Sequence, residues 1–368
     1  MELLIYFDVD GTVTFPSLAS DLLPVARGLD PSFSPDTPAG PRQPASYLAT
    51  RRTPVASTPE WSDLSEDALW TWHHQTRDVE RITERPLRSR LDLKIELATR
   101  LFGKCTLCPW DCRVDRLRGE LGFCGLGRDA FYTKELLHFG EEAEIRPSHT
   151  IFLTGCSLRC VYCMTGDSVI APRSGQRLVP AEMATRIAER AREGARSLSF
   201  VGGNPDQNLL GILEVLNACD TDLPVVWNSN LYGSIELMAL LDGVVDIHVA
   251  DLKYGNDRCA RRLSSIPRYW ETVTRNLTMA ARDARVLVRH LLLPGHHDCC
   301  TAPVLHWVAE YLPGVPVNLM PQYRPDHLVL QGRRPELRRC SSAREVTEAR
   351  QLAGSLGITV ADVISQDA

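Results

Sequence analysis

The 368-residue sequence has no excess of positive charge: 41 Lys and Arg stand against 46 Asp and Glu, a formal net charge of −5. That removes the electrostatic case for a nucleic-acid partner, which is held chiefly by cations on phosphate. No apolar run approaches the roughly 20 residues a membrane helix needs, so no membrane partner is expected. The opening "MELLIYFDVDGT" has no basic stretch and turns acidic at once, unlike a secretory signal. A cytoplasmic setting is the expectation. Lysine is scarce too: Lys94, Lys104, Lys134 and Lys253 are the only four, and arginine supplies the other positive charges.

Cysteine is plentiful. Twelve cysteines in a large chain expected in a reducing compartment point to metal or redox chemistry and away from a disulfide framework. Seven are grouped: Cys105, Cys108, Cys112 and Cys124, then Cys156, Cys160 and Cys163. Cys219, Cys259, Cys299, Cys300 and Cys340 are scattered and read as packing or surface thiols.

Four segments are expected. Residues 1–62 hold a first strand and then, over 15–62, a stretch rich in Pro, Ser, Ala and Thr with no helical or strand period. Residues 63–149 carry helical spacing at 64–75 and 87–103 and the first cysteine group. Residues 150–330 alternate short apolar runs with amphipathic stretches, and 331–368 form a helical or strand tail. The apolar runs at 151–154, 197–201, 224–227, 244–250, 286–291 and 315–320 read as buried strands. Their alternation with helices implies parallel strands joined by crossovers. Six units are too few for a closed eight-stranded barrel, so the fold class is α/β, a partial (β/α)6 TIM-like barrel. It would carry an N-terminal extension and a Cys-rich segment.

Polar groups follow each run: the Cys156–Cys163 loop, "GGNPD" (202–206), "NSN" (228–230), "DLK" (251–253), His290 with "PGHHD" (294–298), and "PQYRPD" (321–326). All six therefore fall at carboxyl ends of parallel strands, where α/β barrels place their sites. Trp227, His248 and Tyr323 read as barrel-lining residues. Arg289 and His290 interrupt an apolar strand, and alternation allows only one of them to face the barrel. His296 and His297 read equally well as exposed loop residues.

Cys156-x3-Cys160-x2-Cys163 puts three thiolates on one tight loop. Three thiolates can hold three irons of a [4Fe–4S] cluster and leave the fourth iron open, and an open metal position marks a catalytic site. Zinc suits the loop poorly without a nearby fourth ligand.

This loop, with Tyr162 before its last cysteine, resembles the signature of the radical S-adenosylmethionine (radical SAM) superfamily. Within it the chain is similar to the pyruvate formate-lyase activating enzyme-like (PflX-type) branch. The resemblance runs from about 104 to 330 and rests on "CTLCPWDCRVDRLRGELGFCG", "GCSLRCVYC", "FVGGNPD", "PVVWNSN", "LLDGVVDIHVADLKYGND", "VLVRHLLLPGH" and "VNLMPQYRP". It implies that S-adenosylmethionine chelates the open iron and is reductively cleaved to a 5′-deoxyadenosyl radical, which takes hydrogen from a substrate. It also implies an electron donor such as flavodoxin or ferredoxin, and a small-molecule, peptide or protein substrate. Carried over by position, Gly202, Gly203 and Asn204 match the Gly-Gly-Glu motif that contacts the cofactor's amino group. Asn204 stands where a carboxylate is usual; it keeps an acceptor oxygen and loses the charge, for which Asp206 could compensate. Tyr162, Asn228 and Ser229 match cofactor-side positions. Asp251 and Lys253 match a strand end that holds a cation or a polar group, with an internal salt bridge as the alternative. Arg289 aligns with an activase arginine.

Cys105-x2-Cys108-x3-Cys112-x11-Cys124 offers four thiolates, enough to saturate a second [4Fe–4S] cluster or a zinc ion. "YFDVDGTVT" resembles the first motif of haloacid-dehalogenase-type phosphatases, with Asp8 and Asp10 as nucleophile and acid/base. Asp-Gly is also a common turn, and about 90 residues before the cysteines are few for that fold. The leading expectation is a radical SAM enzyme. The alternatives are a glycyl-radical activase acting on a partner protein, a non-catalytic metal-binding scaffold, and a phosphatase working through Asp8.

Overall fold

The computed structural model describes residues 45–56 and 59–361. The "DVDGT" stretch, with Asp8 and Asp10, lies outside the described residues.

Eight strands form one sheet: β1 (Phe131–His138), β2 (Ser148–Leu153), β3 (Gln176–Arg177), β4 (Ser197–Gly202), β5 (Val225–Ser229), β6 (Ile247–Asp251), β7 (Arg285–Leu291) and β8 (Val317–Met320), in the order β3-β1-β2-β4-β5-β6-β7-β8. From β2 to β8 every neighbouring pair is parallel. These six strands fall on the six apolar runs. The sequence gives no warning of β1 and β3, which pair antiparallel at the edge; β1 is nowhere fully buried and shows no apolar alternation.

The helices are α1 (Ser46–Arg52), α2 (Glu66–Gln75), α3 (Arg90–Gly103), α4 (Gly166–Ile170), α5 (Pro180–Arg192), α6 (Leu209–Ala218), α7 (Ile235–Leu241), α8 (Asp257–Ser264), α9 (Tyr269–Asp283), α10 (Ala302–Tyr311) and α11 (Ala343–Ser355). Pro180 opens α5 and Pro303 lies in the first turn of α10, where a missing N–H costs nothing. Ser89 and Asp92 form a reciprocal cap that starts α3, the helix delivering the chain to Cys105. Among the described residues no helix is long and apolar enough to cross a membrane.

Within the described part of 15–62, residues 45–56 and 59–62, the expectation of irregular chain is corrected at α1. Its helix has no period to announce it because distant groups anchor it: the Ala45 and Ser46 N–H groups bond Asp222 and Asp246, and Arg51 bonds the Cys219 carbonyl. Tertiary contacts override weak local preference here.

Strand alternation divides the parallel sheet into two faces. Leu198, Phe200, Val225, Trp227, Ala250, Val286, Val288 and Leu319 join the main core with the helices. Val226, Ile247, Val249 and Leu287 form a second cluster on the opposite, inner face, with Ile145 against it. Trp227 and His248 therefore sit on the helix-packed face, which corrects the expectation that they line the barrel. Arg289 takes the inner face and His290 the outer one. His290 is held by the Leu252 carbonyl at 2.7 Å and the Thr301 hydroxyl at 3.0 Å.

β2 and β8 do not pair, so the barrel is open. Other contacts span the gap. At one end Glu142, just before β2, bonds Arg289 of β7 and Asn318 of β8. At the other, the Tyr162 and Tyr323 rings meet edge to face at 5.9 Å, and the Val329 N–H bonds the Val161 carbonyl.

Candidate functional site

The loop after β2 is built to display sulfur. The Arg159 and Val161 N–H groups bond the Ser264 and Leu263 carbonyls, the last of α8, which fixes the loop against that helix. Cys156 is buried; Cys160 and Cys163 are half-buried. Each sulfur has a polar neighbour: Leu158 N–H (3.3 Å) and Asn230 Nδ2 (3.5 Å) at Cys156, Ser264 Oγ (2.9 Å) at Cys160, and Thr165 Oγ1 (3.6 Å) at Cys163. Tyr162 is buried, and its hydroxyl begins a relay through Tyr254 (2.6 Å) and Ser264 (2.5 Å) to Cys160. Burial pushes the Cys156 and Cys160 thiols up, and the Lys253 ammonium pulls the other way. Buried thiols surrounded by donors and one cation become thiolates when a metal supplies the missing positive charge. The donor set therefore fits an iron–sulfur group.

The Gly-Gly pair earns its place by contact. A Cβ on Gly202 (φ 106°) would lie 2.4 Å from the Leu153 carbonyl oxygen, and one on Gly203 would lie 2.2 Å from that of Gly155. Only bare backbone lets the end of β4 press against the residues leading into Cys156. Asn204 next to it is buried, and both ends of its amide are occupied: Oδ1 accepts from Asn230 N–H at 3.1 Å, and Nδ2 donates to Gln207 Oε1 at 2.9 Å. Asp206 turns inward, accepting from Trp227 Nε1 and the Ser229 hydroxyl, each at 2.8 Å. The structure therefore gives Asn204, Asp206 and Ser229 partners inside the protein. Asn228 lies on the inner face and is partly exposed.

Along the inner face Asp251 and Arg289 are register partners on β6 and β7. Lys253 Nζ donates to Asp251 at 2.7 Å, the internal salt bridge that the sequence left as an alternative. Burial alone would lower the Lys253 ammonium's pKa; Asp251 and Cys160 outweigh it and raise it. Arg289 is bound bidentately by Glu142, with Nε at 2.8 Å from Oε1, and Asn318 Nδ2 donates a third bond to Glu142 Oε1 at 2.7 Å. Burial pushes the Glu142 carboxyl up, but the Arg289 guanidinium and the Asn318 amide leave it below the ordinary range.

The four-cysteine segment is stitched to the three-cysteine loop. Trp110 stacks on Phe123 at 3.8 Å and donates its indole N–H to the Ser157 carbonyl at 2.8 Å. Arg159 bonds the Cys156 and Phe123 carbonyls and lies 4.4 Å from the Phe123 ring. Within the segment, the Cys105 N–H bonds the Val114 carbonyl, the Cys105 carbonyl accepts from the Arg113 N–H, and the Phe123 nitrogen lies 3.4 Å from Cys112 Sγ. Gly122 is flanked by the sulfurs of Cys112 and Cys124.

The Radical SAM superfamily family model matches residues 150–308, the stretch holding this loop and five of the six parallel strands. The chain belongs to the radical SAM superfamily. The uncharacterized protein MJ0674 of Methanocaldococcus jannaschii is 36% identical over 327 residues, spanning 84% of this chain and 93% of the relative. Among solved structures, Streptococcus suis SuiB is 11% identical with a TM-score of 0.40 over 58% of this chain; the match covers 47% of SuiB, about half its length. A domain of pyruvate-formate lyase-activating enzyme from Bacteroides vulgatus is 16% identical with a TM-score of 0.37, over 45% of this chain and 96% of that domain.

Two features of this radical SAM chain escape a reading of its sequence. Glu142 lies in "GEEAE", where no motif marks a site, yet its side chain is buried against Arg289 and Asn318. Cys259, Cys299 and Cys300, read as scattered thiols, converge on His296, whose role the sequence leaves open; all four donor atoms lie within 4.8 Å of one another. The local signal was His296-x2-Cys299-Cys300, three donors at i, i+3 and i+4, which share one face of a helical turn.

Proposed function

We propose that this protein is a radical SAM enzyme whose Cys156, Cys160 and Cys163 hold a [4Fe–4S] cluster with S-adenosylmethionine at its open iron. When bound, that pair would supply one-electron reductive cleavage of the sulfonium and, through it, abstraction of hydrogen from a substrate. The observation that carries the reading is the loop itself: three thiols, each with a polar neighbour, at the carboxyl end of a parallel sheet.

The chain's own residues have separable tasks. Ser264, Asn230 and the Leu158 N–H offer hydrogen bonds to thiolate, which set its charge. Lys253 places a cation beside Cys160 while Asp251 holds its ammonium. Gly202 and Gly203 bring the end of β4 against the loop, and Asn204, Asp206 and Ser229 brace the ends of β4 and β5. Tyr162 anchors the loop through its hydroxyl relay. Asn228, Asp251 and Arg289 line the inner face and receive the substrate. Cys105, Cys108, Cys112 and Cys124 hold a second [4Fe–4S] cluster or a zinc ion beside the first site. The electron comes from a flavodoxin- or ferredoxin-type donor.

The test is anaerobic. The chain is reconstituted with iron and sulfide, reduced, mixed with S-adenosylmethionine, and assayed for 5′-deoxyadenosine against a Cys160→Ala control. Product that disappears in the control is the expected result. Equal product from both chains would overturn the assignment.

A further inference from the structure

The convergence of Cys259, His296, Cys299 and Cys300 has metal-site dimensions. Sγ of Cys259 lies 3.7 Å from Sγ of Cys299, which lies 4.0 Å from that of Cys300. His296 Nδ1 is 3.8, 3.3 and 3.7 Å from the sulfurs of Cys259, Cys299 and Cys300. A tetrahedral zinc with Zn–S of about 2.3 Å and Zn–N of about 2.0 Å separates its donors by about 3.8 Å for S–S and 3.5 Å for S–N. The observed edges bracket those values without any rearrangement. An iron–sulfur cube, whose ligands each reach a different iron, would spread them wider. Three sulfurs and one imidazole nitrogen form one of the saturated structural zinc sets.

The local fold presents these donors. His296, Cys299 and Cys300 lie on the turn 296–301, whose segment 297–301 is a π-helix; Cys300 and Thr301 N–H both bond the His296 carbonyl. Cys259 comes from the first turn of α8, and Asn256, its N-cap, bonds the Cys299 carbonyl at 2.6 Å. Three of the four residues are buried. Cys299 opens on a 580 Å³ cavity rimmed by Arg258, Arg262 and Glu336; Glu336 pairs with Arg262, and Arg258 is the cation placed to offset the net negative charge of zinc bound by three thiolates.

We infer that Cys259, His296, Cys299 and Cys300 form a zinc site, separate from both cysteine groups already described, that clamps α8 to the segment after β7. The clamp has a consequence for the neighbouring loop, because the carbonyl end of α8 receives the Arg159 and Val161 N–H groups and its Ser264 hydroxyl faces Cys160. A metal at one end of this eight-residue helix stiffens the surface that backs the three-cysteine loop at the other.

The site does not depend on the radical chemistry, and its test needs no cluster. The full chain is purified aerobically from zinc-supplemented medium, and zinc is measured by elemental analysis and by X-ray absorption at the zinc edge. Zinc with three sulfurs and one nitrogen is expected, alone if the four-cysteine group takes iron and sulfide and beside a four-sulfur zinc if that group takes zinc. Cys259→Ala and Cys299→Ser should each lower bound zinc by about one equivalent per chain, while Cys112→Ala leaves the three-sulfur, one-nitrogen signal in place. Removing zinc from the unmutated chain should also speed hydrogen exchange at the Arg159 and Val161 amides, a readout that requires no variant to fold. A zinc-free wild type, a zinc signal of four sulfurs only, or iron in the mixed site would each overturn the proposal.

Discussion

The Ser264 hydroxyl lies 2.9 Å from Cys160 Sγ and donates toward it, at the end of a relay that starts at Tyr162. Hydrogen bonds to ligand sulfurs stabilise the more negative, reduced state of an iron–sulfur cluster and so raise its potential. Ser264→Ala should shift the potential of the reconstituted site on the order of 20–40 mV more negative. An electron paramagnetic resonance-monitored redox titration reads this directly, and an unchanged potential would sink the assignment of Ser264 as a tuning donor.

Asn204 stands where the superfamily resemblance leads one to expect a carboxylate, and its amide is wholly engaged by Asn230 and Gln207. Asn204→Glu should therefore not improve the site. The longer side chain overfills a buried position and brings in a charge with no cation to meet it, costing about 2–3 kcal/mol. Thermal melting checks the loss; a variant as stable as wild type would show that the pocket around Asn204 is looser than its contacts imply.

Arg289 and Glu142 invite a separation of structural and substrate roles. Removing one partner of a buried ion pair leaves the other charge uncompensated, so Glu142→Leu alone should cost about 3–5 kcal/mol. The double variant Glu142→Leu/Arg289→Met should recover most of that loss, as measured by urea denaturation. If Arg289 also meets the substrate, turnover stays absent in the stable double variant. The pair has a pH signature as well. The carboxyl of Glu142 is held below its ordinary value when folded, so its contribution is present above the unfolded carboxylate range and is lost as acid titrates it through the folded value.

His248 is buried on the helix-packed face with Nδ1 lacking a partner, and burial lowers its pKa from 6.5 to about 4. The unfolded chain therefore binds a proton that the folded chain refuses between those values. The His248 contribution is present above pH 6.5 and is lost as pH falls toward 4. His248→Phe should flatten the fall in the urea midpoint over that window, a difference of up to about 3 kcal/mol at its acid end. Parallel wild-type and variant curves would refute the neutral buried imidazole.

What the chain showed in advance follows from how local each signal is. The six parallel strands were readable because strands buried on both faces are continuous apolar runs. The three-cysteine loop was readable because its ligands lie within eight residues. Helix α1 was not, because its anchors, Asp222 and Asp246, arrive from more than 170 positions away. The same holds for Cys259, whose metal-site companions lie 37 to 41 residues downstream and meet it only after α9 and β7 have returned the chain. Trp227 and His248 were assigned to the wrong face because composition names a strand's residues while packing decides which way each points. Asp206, expected to compensate for the charge that Asn204 lacks, has its oxygens taken by Trp227 and Ser229, partners that only the fold brings to it.

The missing ladder between β2 and β8 gives the barrel a seam. Every other junction between parallel strands is secured by rows of backbone bonds, whereas this one is fastened at its two ends, by Glu142 with Arg289 and Asn318 and by the contacts of Tyr162 and Val161. Parting it would break a handful of contacts and leave every pairing among the described strands intact. Each fastening also sits beside chemistry: one holds the inner-face arginine, the other the residues between Cys160 and Cys163. Whatever loosens either fastening therefore loosens what it holds: the Glu142–Arg289 pair at one end, the stretch between Cys160 and Cys163 at the other.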